Sequence, residues 1–446
     1  MVTSSNATDM TSGNPIKLLL TFSIPLVIGN IFQQFYNMVD SIVVGNFVGS
    51  NALGAVGACG SLNWLFFSLS SGLGVGIGVL VSQFYGAKRY DKVRATIANS
   101  FYVLISSALI ISIIGFLITP WVLRLLSTPE DIIEDSIIYM RTTCLGIVAI
   151  SLYNGVSSIL RALGDSKTPL YFLILSSICN VVLDLVFVVL FHWGVFGVAF
   201  ATIISQAVSA IASLWYSFKK VEYFHMTKEL LRPDITIIKN SYRIGIPVGL
   251  QSSMIAVSCV ALQAVVNSFG STVVSAFTIT SRIEQLVQQP YNSIGTALTT
   301  YAGQNIGAGK KDRVELGFRK SIIIIVVISA IMIPVTFLFG KNIASLFVKD
   351  AEVIELGSSA LRITSLFYFF LGMIYVARSI LNGCGDAAFS MVNGLAEVVC
   401  RLLFSYVLTK IPAIGSWGIW ITTGLTWFCV SIVCFMRYIS GKWKQL

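Results

Sequence analysis

Long apolar runs alternate with short polar breaks along the whole chain. Six runs lie near residues 16–45, 53–82, 95–118, 137–162, 168–191 and 194–218. A polar, basic stretch from Lys219 to Arg243 follows. Six more runs lie near 244–269, 273–304, 318–340, 357–382, 388–410 and 414–439. A spanning helix needs roughly 20 apolar residues, which each run supplies. The runs are too long for strands and lack two-residue alternation. The pattern predicts an all-α membrane protein with twelve transmembrane helices.

Composition agrees. Of 446 residues, 55% are hydrophobic and 11% charged, against about 25% charged in a soluble domain. The net charge of +10 would suit a nucleic-acid partner, but the basic residues sit between apolar runs and read as topology signals. The lipid bilayer is the expected partner, with no nucleic acid. Lys88, Arg89, Lys92 and Arg94 follow the second run. Lys219, Lys220, Lys228, Arg232, Lys239 and Arg243 follow the sixth, and Lys310, Lys311, Arg313, Arg319 and Lys320 follow the eighth. The loop after the third run instead has Arg124 among Glu130, Asp131, Glu134 and Asp135. The positive-inside rule therefore places both termini in the cytoplasm of a multi-pass protein of the plasma (cell inner) membrane. The polar start Met1–Asn14 runs directly into the first helix, so no cleavable signal peptide is expected. The eight cysteines lie mostly inside apolar runs without paired spacing, which marks them as reduced packing residues.

The chain repeats itself. Ile24-Pro25 is echoed by Ile246-Pro247, and Gln83-Phe84-Tyr85-Gly86-Ala87 by Gln304-Asn305-Ile306-Gly307-Ala308. Asp91-Lys92-Val93 aligns with Asp312-Arg313-Val314. Ile159-Leu160-Arg161-Ala162-Leu163-Gly164-Asp165 aligns with Ile380-Leu381-Asn382-Gly383-Cys384-Gly385-Asp386. Six helices separate the copies, an even number, so the halves share one topology. They should be related by a pseudo-two-fold axis along the membrane normal, as in transporters built from parallel repeats. The expected organisation is an N-terminal lobe 1–218, a cytoplasmic linker 219–243 and a C-terminal lobe 244–446.

In this order, the two six-helix halves, the repeated Gln-x-x-Gly-Ala, the Leu-Arg-Ala-Leu-Gly-Asp loop and Arg282-Ile283-Glu284-Gln285 resemble the multidrug and toxin extrusion (MATE) family. Helices 7 and 10 carry no Asp or Glu in their membrane cores, which brings the likeness nearest to the DinF-like branch. The resemblance implies a secondary-active antiporter, working by alternating access. It would export organic compounds, expected to be cationic and amphipathic, in exchange for H⁺ or Na⁺. No cofactor beyond the coupling ion is expected, and a monomer is the default.

Charged groups within a bilayer are costly and usually functional or paired. Asp40 and Asp184 stand out, with no basic residue near them in helices 1, 5 or 6. At about 1.5 Å of rise per residue, Asp40, Asp184 and Thr202 lie at a similar depth, roughly 9 to 12 Å from the outer helix ends. Tyr36 and Asn180 sit one turn below their aspartates, on the same faces. Two carboxylates there disfavour joint ionisation through desolvation and mutual repulsion, so one can load and release a proton. Alternatively, two carboxylates, an amide oxygen and a hydroxyl suit Na⁺, because hard cations prefer oxygen. The resemblance carries the cation-coupling role to Asp40, Asn180, Asp184 and Thr202, with Tyr36 as a lesser member. The plain alternative is a buried network that only locks three helices together.

Pro25 should kink helix 1, and the resemblance makes that kink a hinge. Gln33, Gln34, Asn37 and Met38 in helix 1, with Gln285, Gln288 and Gln289 before Pro290, are candidates to line a substrate cavity. Glu397 and Arg401, at i and i+4, can neutralise each other. A flippase of a lipid-linked precursor is the second reading, kept alive by Arg282 and Arg401. No nucleophile–base pair or metal-ligand set at membrane depth supports an enzyme.

Overall fold

The computed structural model describes residues 7–126 and 128–445. Met1–Asn6, part of the polar start, lies outside the described residues. Twelve helical spans follow one another: α1 (Pro15–Val48), α2 (Gly60–Gly86), α3 (Tyr90–Leu125), α4 (Glu130–Leu145 and Ile147–Ala162), α5 (Lys167–Leu190), α6 (Gly194–Lys220), α7 (Ile235–Asn267), α8 (Ser271–Gly307), α9 (Lys311–Ser345), α10 (Ala351–Ser365 and Tyr368–Cys384), α11 (Ala388–Thr409) and α12 (Gly418–Ile439). A short helix, Ser50–Ala58, precedes α2.

Among the described residues, nine spans are continuous and apolar enough to cross a membrane. Two more, α4 and α10, are bent by 48° and 50° at equivalent places in the repeat. The twelfth, α8, is too polar for that criterion. Its 37 residues still reach about 55 Å at the α-helical rise. Its polarity has a structural reason, given below.

Helix starts follow local chemistry. Asn14 accepts from the amide of Ile16 ahead of α1, with Pro15 in the first turn. Asp234 and Asp350 cap α7 and α10 the same way. The Asp234 cap lies within the stretch 219–243 expected as a linker. Residues 235–243 already belong to α7, so the connection is only Val221–Asp234. The polar first turns of α7 hide the helix from a hydrophobicity reading.

The lobes α1–α6 and α7–α12 meet along two seams. On one, α2 packs against α7 through small residues. A methyl group on Gly72 or Gly76 would strike the backbone of Gly249 or Gly245. Ser68 and Ser253 share a hydrogen bond of 2.7 Å further along. Close backbone approach between small residues is a strong way to join helices in lipid. On the other seam, α1 crosses α8, and Asn30 donates to the Ser293 hydroxyl at 3.1 Å. On the side that carries the termini, α2 and α8 cross each other where the repeated Gln-x-x-Gly-Ala lies.

Candidate cation and substrate site

Asp40 and Asp184 come together from α1 and α5. Both lie where regular helix gives way to π-helical turns, at Val44–Val48 and Leu185–Leu190. Such wide turns frequently mark functional positions. Asp184 and Asn180 are fully buried, and Asp40 is half-buried. Asn180 donates to the Thr202 hydroxyl at 3.4 Å, and Thr202 donates to the Val198 carbonyl at 3.1 Å. Tyr36 lies beside both carboxyls and Thr202. The five side chains singled out in helices 1, 5 and 6 therefore form one cluster.

Asp40 Oδ1, both Asp184 oxygens and Asn180 Oδ1 are sealed from solvent, with no hydrogen-bond partner among the described residues. Buried polar atoms are ordinarily paired. These four are acceptors only, so they can be satisfied by a proton on one carboxyl or by a small hard cation. The set fits either group. No three His, Cys, Asp or Glu side chains converge among the described residues, so two carboxyls supply the site's whole negative charge.

A sixth member escaped the sequence reading. Tyr139 of α4 is buried in the neighbourhood of Asp40, Tyr36, Cys59 and Asp184. It comes from the first half of the bent helix. Its only signal in the sequence is an aromatic hydroxyl within an apolar run, which is common.

Much of the polarity of α8 lies on one face. Ser271, Ser275, Thr278, Arg282, Gln285, Gln289, Asn292, Thr296 and Thr299 recur at three- and four-residue steps, which places them in one stripe. Arg282, Gln285 and Asn292 are exposed. A polar stripe facing lipid would be costly, which favours protein or water rather than acyl chains over this face. On α1, Asn30, Gln33, Gln34, Asn37 and Ser41 form a matching face, and Met38 is exposed at its edge. The two faces meet at Asn30 and Ser293. Asp40 and Arg282 are ten and eleven residues beyond that crossing, about 15 Å in each case. Gln288 does not join this stripe. It turns toward α10 and accepts from the Tyr375 hydroxyl at 3.3 Å. Pro25 is buried within the continuous α1.

The second lobe holds its own buried ionisable group. Arg401 donates to Glu397 at 2.8 Å and reaches the Cys259 sulfur at 2.6 Å. Glu284 of α8 lies beside Arg401, Thr364 and Tyr368, with its Oε1 buried and unpartnered among the described residues. Arg378 packs over the Tyr375 ring at 4.9 Å.

The MatE family model matches residues 25–186 and again 247–407, one match per lobe. A probable multidrug resistance protein of Bacillus subtilis, YpnP, is 33% identical over 99% of this chain and 98% of its own length. A crystal structure of MATE in complex with MaD3S superposes with a TM-score of 0.92, at 25% identity, covering all of both chains. An outward-facing multidrug resistance MATE family transporter of the MOP superfamily superposes at 0.91, also at 25% identity, covering 98% of this chain and 97% of that one.

Proposed function

The chain belongs to the MatE family of membrane transporters, and from that premise we propose that it is a secondary-active antiporter. It exports organic, amphipathic compounds in exchange for H⁺ or Na⁺. The observation that carries this reading is the set of four sealed acceptor oxygens on Asp40, Asp184 and Asn180. Repulsion and desolvation make two buried carboxylates unfavourable together. One proton, or one Na⁺ held by Asp40, Asn180, Asp184 and Thr202, relieves both costs. Tyr36 and Tyr139 close the site around the ion.

Both termini lie in the cytoplasm, and residues 1–218 and 244–446 act as the two moving lobes. The coupling ion enters from outside while the cleft between α1 and α8 is open there. Loading the acid pair changes the packing of α1, on which Gln33, Gln34, Asn37 and Met38 stand, with Pro25 as its bend. Cargo held between those side chains and Gln285 and Gln289 then loosens and leaves outward. Linkage is reciprocal, so bound cargo lowers ion affinity by the same factor. Asp40 and Arg282, at similar depth, place one group of each sign at the cleft. Organic cations and compounds with an acidic group can therefore both be held.

The test is efflux of ethidium from proteoliposomes under an imposed pH or sodium gradient. Wild type should respond to one gradient, which names the ion, and Asp40→Asn should not respond. Full gradient-driven efflux in Asp40→Asn would remove the coupling role from this site. No driven efflux in wild type, followed by activity in a lipid-flipping assay, would replace the antiporter reading with the flippase.

A further inference from the structure

The short segment ahead of α1 is built into the junction between the lobes. The Thr8 amide donates to the Gly164 carbonyl at 3.0 Å, in the turn between α4 and α5 of the first lobe. Two residues on, the Met10 amide donates to Gln304 Oε1 at 3.0 Å, on α8 of the second lobe. The Met10 carbonyl accepts from Asn305 at 3.0 Å and from Arg313 at 3.3 Å. Arg313 also donates to the Gly13 carbonyl at 3.1 Å, and Lys310 to the Thr11 carbonyl at 2.9 Å. The Met10 side chain is fully buried in the core of the second lobe.

Gln304 is the hub of this arrangement. Its Oε1 takes the Met10 amide, while its Nε2 donates to the Ala162 carbonyl of the first lobe at 2.9 Å. The segment thus reinforces an interlobe bond from one side and ties to both partners itself. Gly164 stands at φ +95°, and a Cβ there would collide with the Thr8 backbone. The turn is therefore shaped to let the segment approach. A terminal stretch with no role would not be expected to bury a methionine completely, to draw three side-chain donors, Asn305, Lys310 and Arg313, to its carbonyls, and to find an acceptor in Gln304 for its Met10 amide.

We propose that Thr8–Gly13 is a strap that holds the terminal side of the transporter closed and must leave its seat before that side can open. Releasing it exposes Met10 and breaks the contacts to both lobes together, so it acts as a brake on the inward-open state. This rests on the alternating-access reading above, but not on which ion drives it.

Cys384 is a built-in reporter. It is buried and follows Gly383, whose carbonyl accepts from Gln83 across the same junction at 3.0 Å. Full-length protein in nanodiscs would be treated with a maleimide, and labelling of the Cys384 peptide followed by mass spectrometry. A variant lacking residues 2–12 should label several-fold faster than wild type. Met10→Asp, which keeps the chain length, should do the same, as should Arg313→Gln. An unchanged labelling rate in folded variants overturns the strap. Aggregation of the truncated form would leave Met10→Asp and Arg313→Gln to decide by the same readout. Faster labelling without gradient-driven efflux in wild type would keep the strap and sink the antiporter. Driven efflux with unchanged labelling would do the reverse.

Discussion

Gln83 on α2 donates its side-chain amide to the carbonyl of Gly383, at 3.0 Å and 300 residues away in the chain. Its counterpart in the repeat, Gln304, donates to Ala162 at 2.9 Å. Each half of the molecule reaches into the equivalent turn of the other, and the glycine three residues after each glutamine makes room. A Cβ on Gly86 would overlap the backbone of Gln304, and one on Gly307 the backbone of Gln83. Gly86→Ala and Gly307→Ala should each destabilise by about 1–3 kcal/mol, the usual cost of overpacking. Thermal unfolding in detergent would read this, and an unchanged midpoint would mean that the crossing yields easily.

Asp184 should separate stability from function. Its carboxyl is buried beside Asp40, and neither of its oxygens has a donor among the described residues. Asp184→Asn removes a like charge and supplies an N–H donor. Unfolding should become harder, by about 1–3 kcal/mol if a buried acceptor is satisfied. Gradient-driven efflux should fall to background at the same time. A variant that loses both stability and transport would mark Asp184 as a structural residue.

The Glu397–Arg401 pair is almost fully buried and lies next to Glu284. Removing the guanidinium leaves two carboxyls without their cation. Arg401→Met should cost about 3–5 kcal/mol, as expected when one partner of a buried pair is lost. Arg401→Met combined with Glu397→Leu should recover part of that loss. A double-mutant cycle by thermal unfolding gives the coupling, and simple additivity would mean that the pair contributes nothing as a unit.

Asp9 sets the acid limit of the strap. Burial opposes ionisation of its carboxyl, but hydrogen bonds from Thr11 and Ser12, with Lys310 nearby, outweigh it and hold Asp9 below the usual carboxylate range. A depressed value contributes stability that is complete above the ordinary pKa of about 4 and is lost as pH falls through the folded one. Hydrogen-exchange protection of the Met10 amide, corrected for intrinsic rate, should stay flat from pH 5 to 8 and drop in stronger acid. A drop near pH 6 would assign control of the strap to another group.

Much of this molecule follows from local rules. The bilayer demands runs of apolar residues, so the spans are visible as runs, and the even spacing of the repeat implies two parallel lobes. Asp40 and Asp184 were legible because a carboxylate in an apolar run is rare, and Tyr36 and Asn180 because an i−4 neighbour shares its face. The pairing of Glu397 with Arg401 was legible for the same reason. The polar stripe of α8 is also written in its heptad spacing, although Gln288 could be assigned to another face only once α10 was in place beside it. Tyr139, the reciprocal reach of Gln83 and Gln304, and the burial of Met10 depended on the tertiary structure. Each joins residues that are close only after helices have bent and crossed. Helical periodicity determines which residues share a face of one helix, while the packing of small residues between helices decides which faces meet.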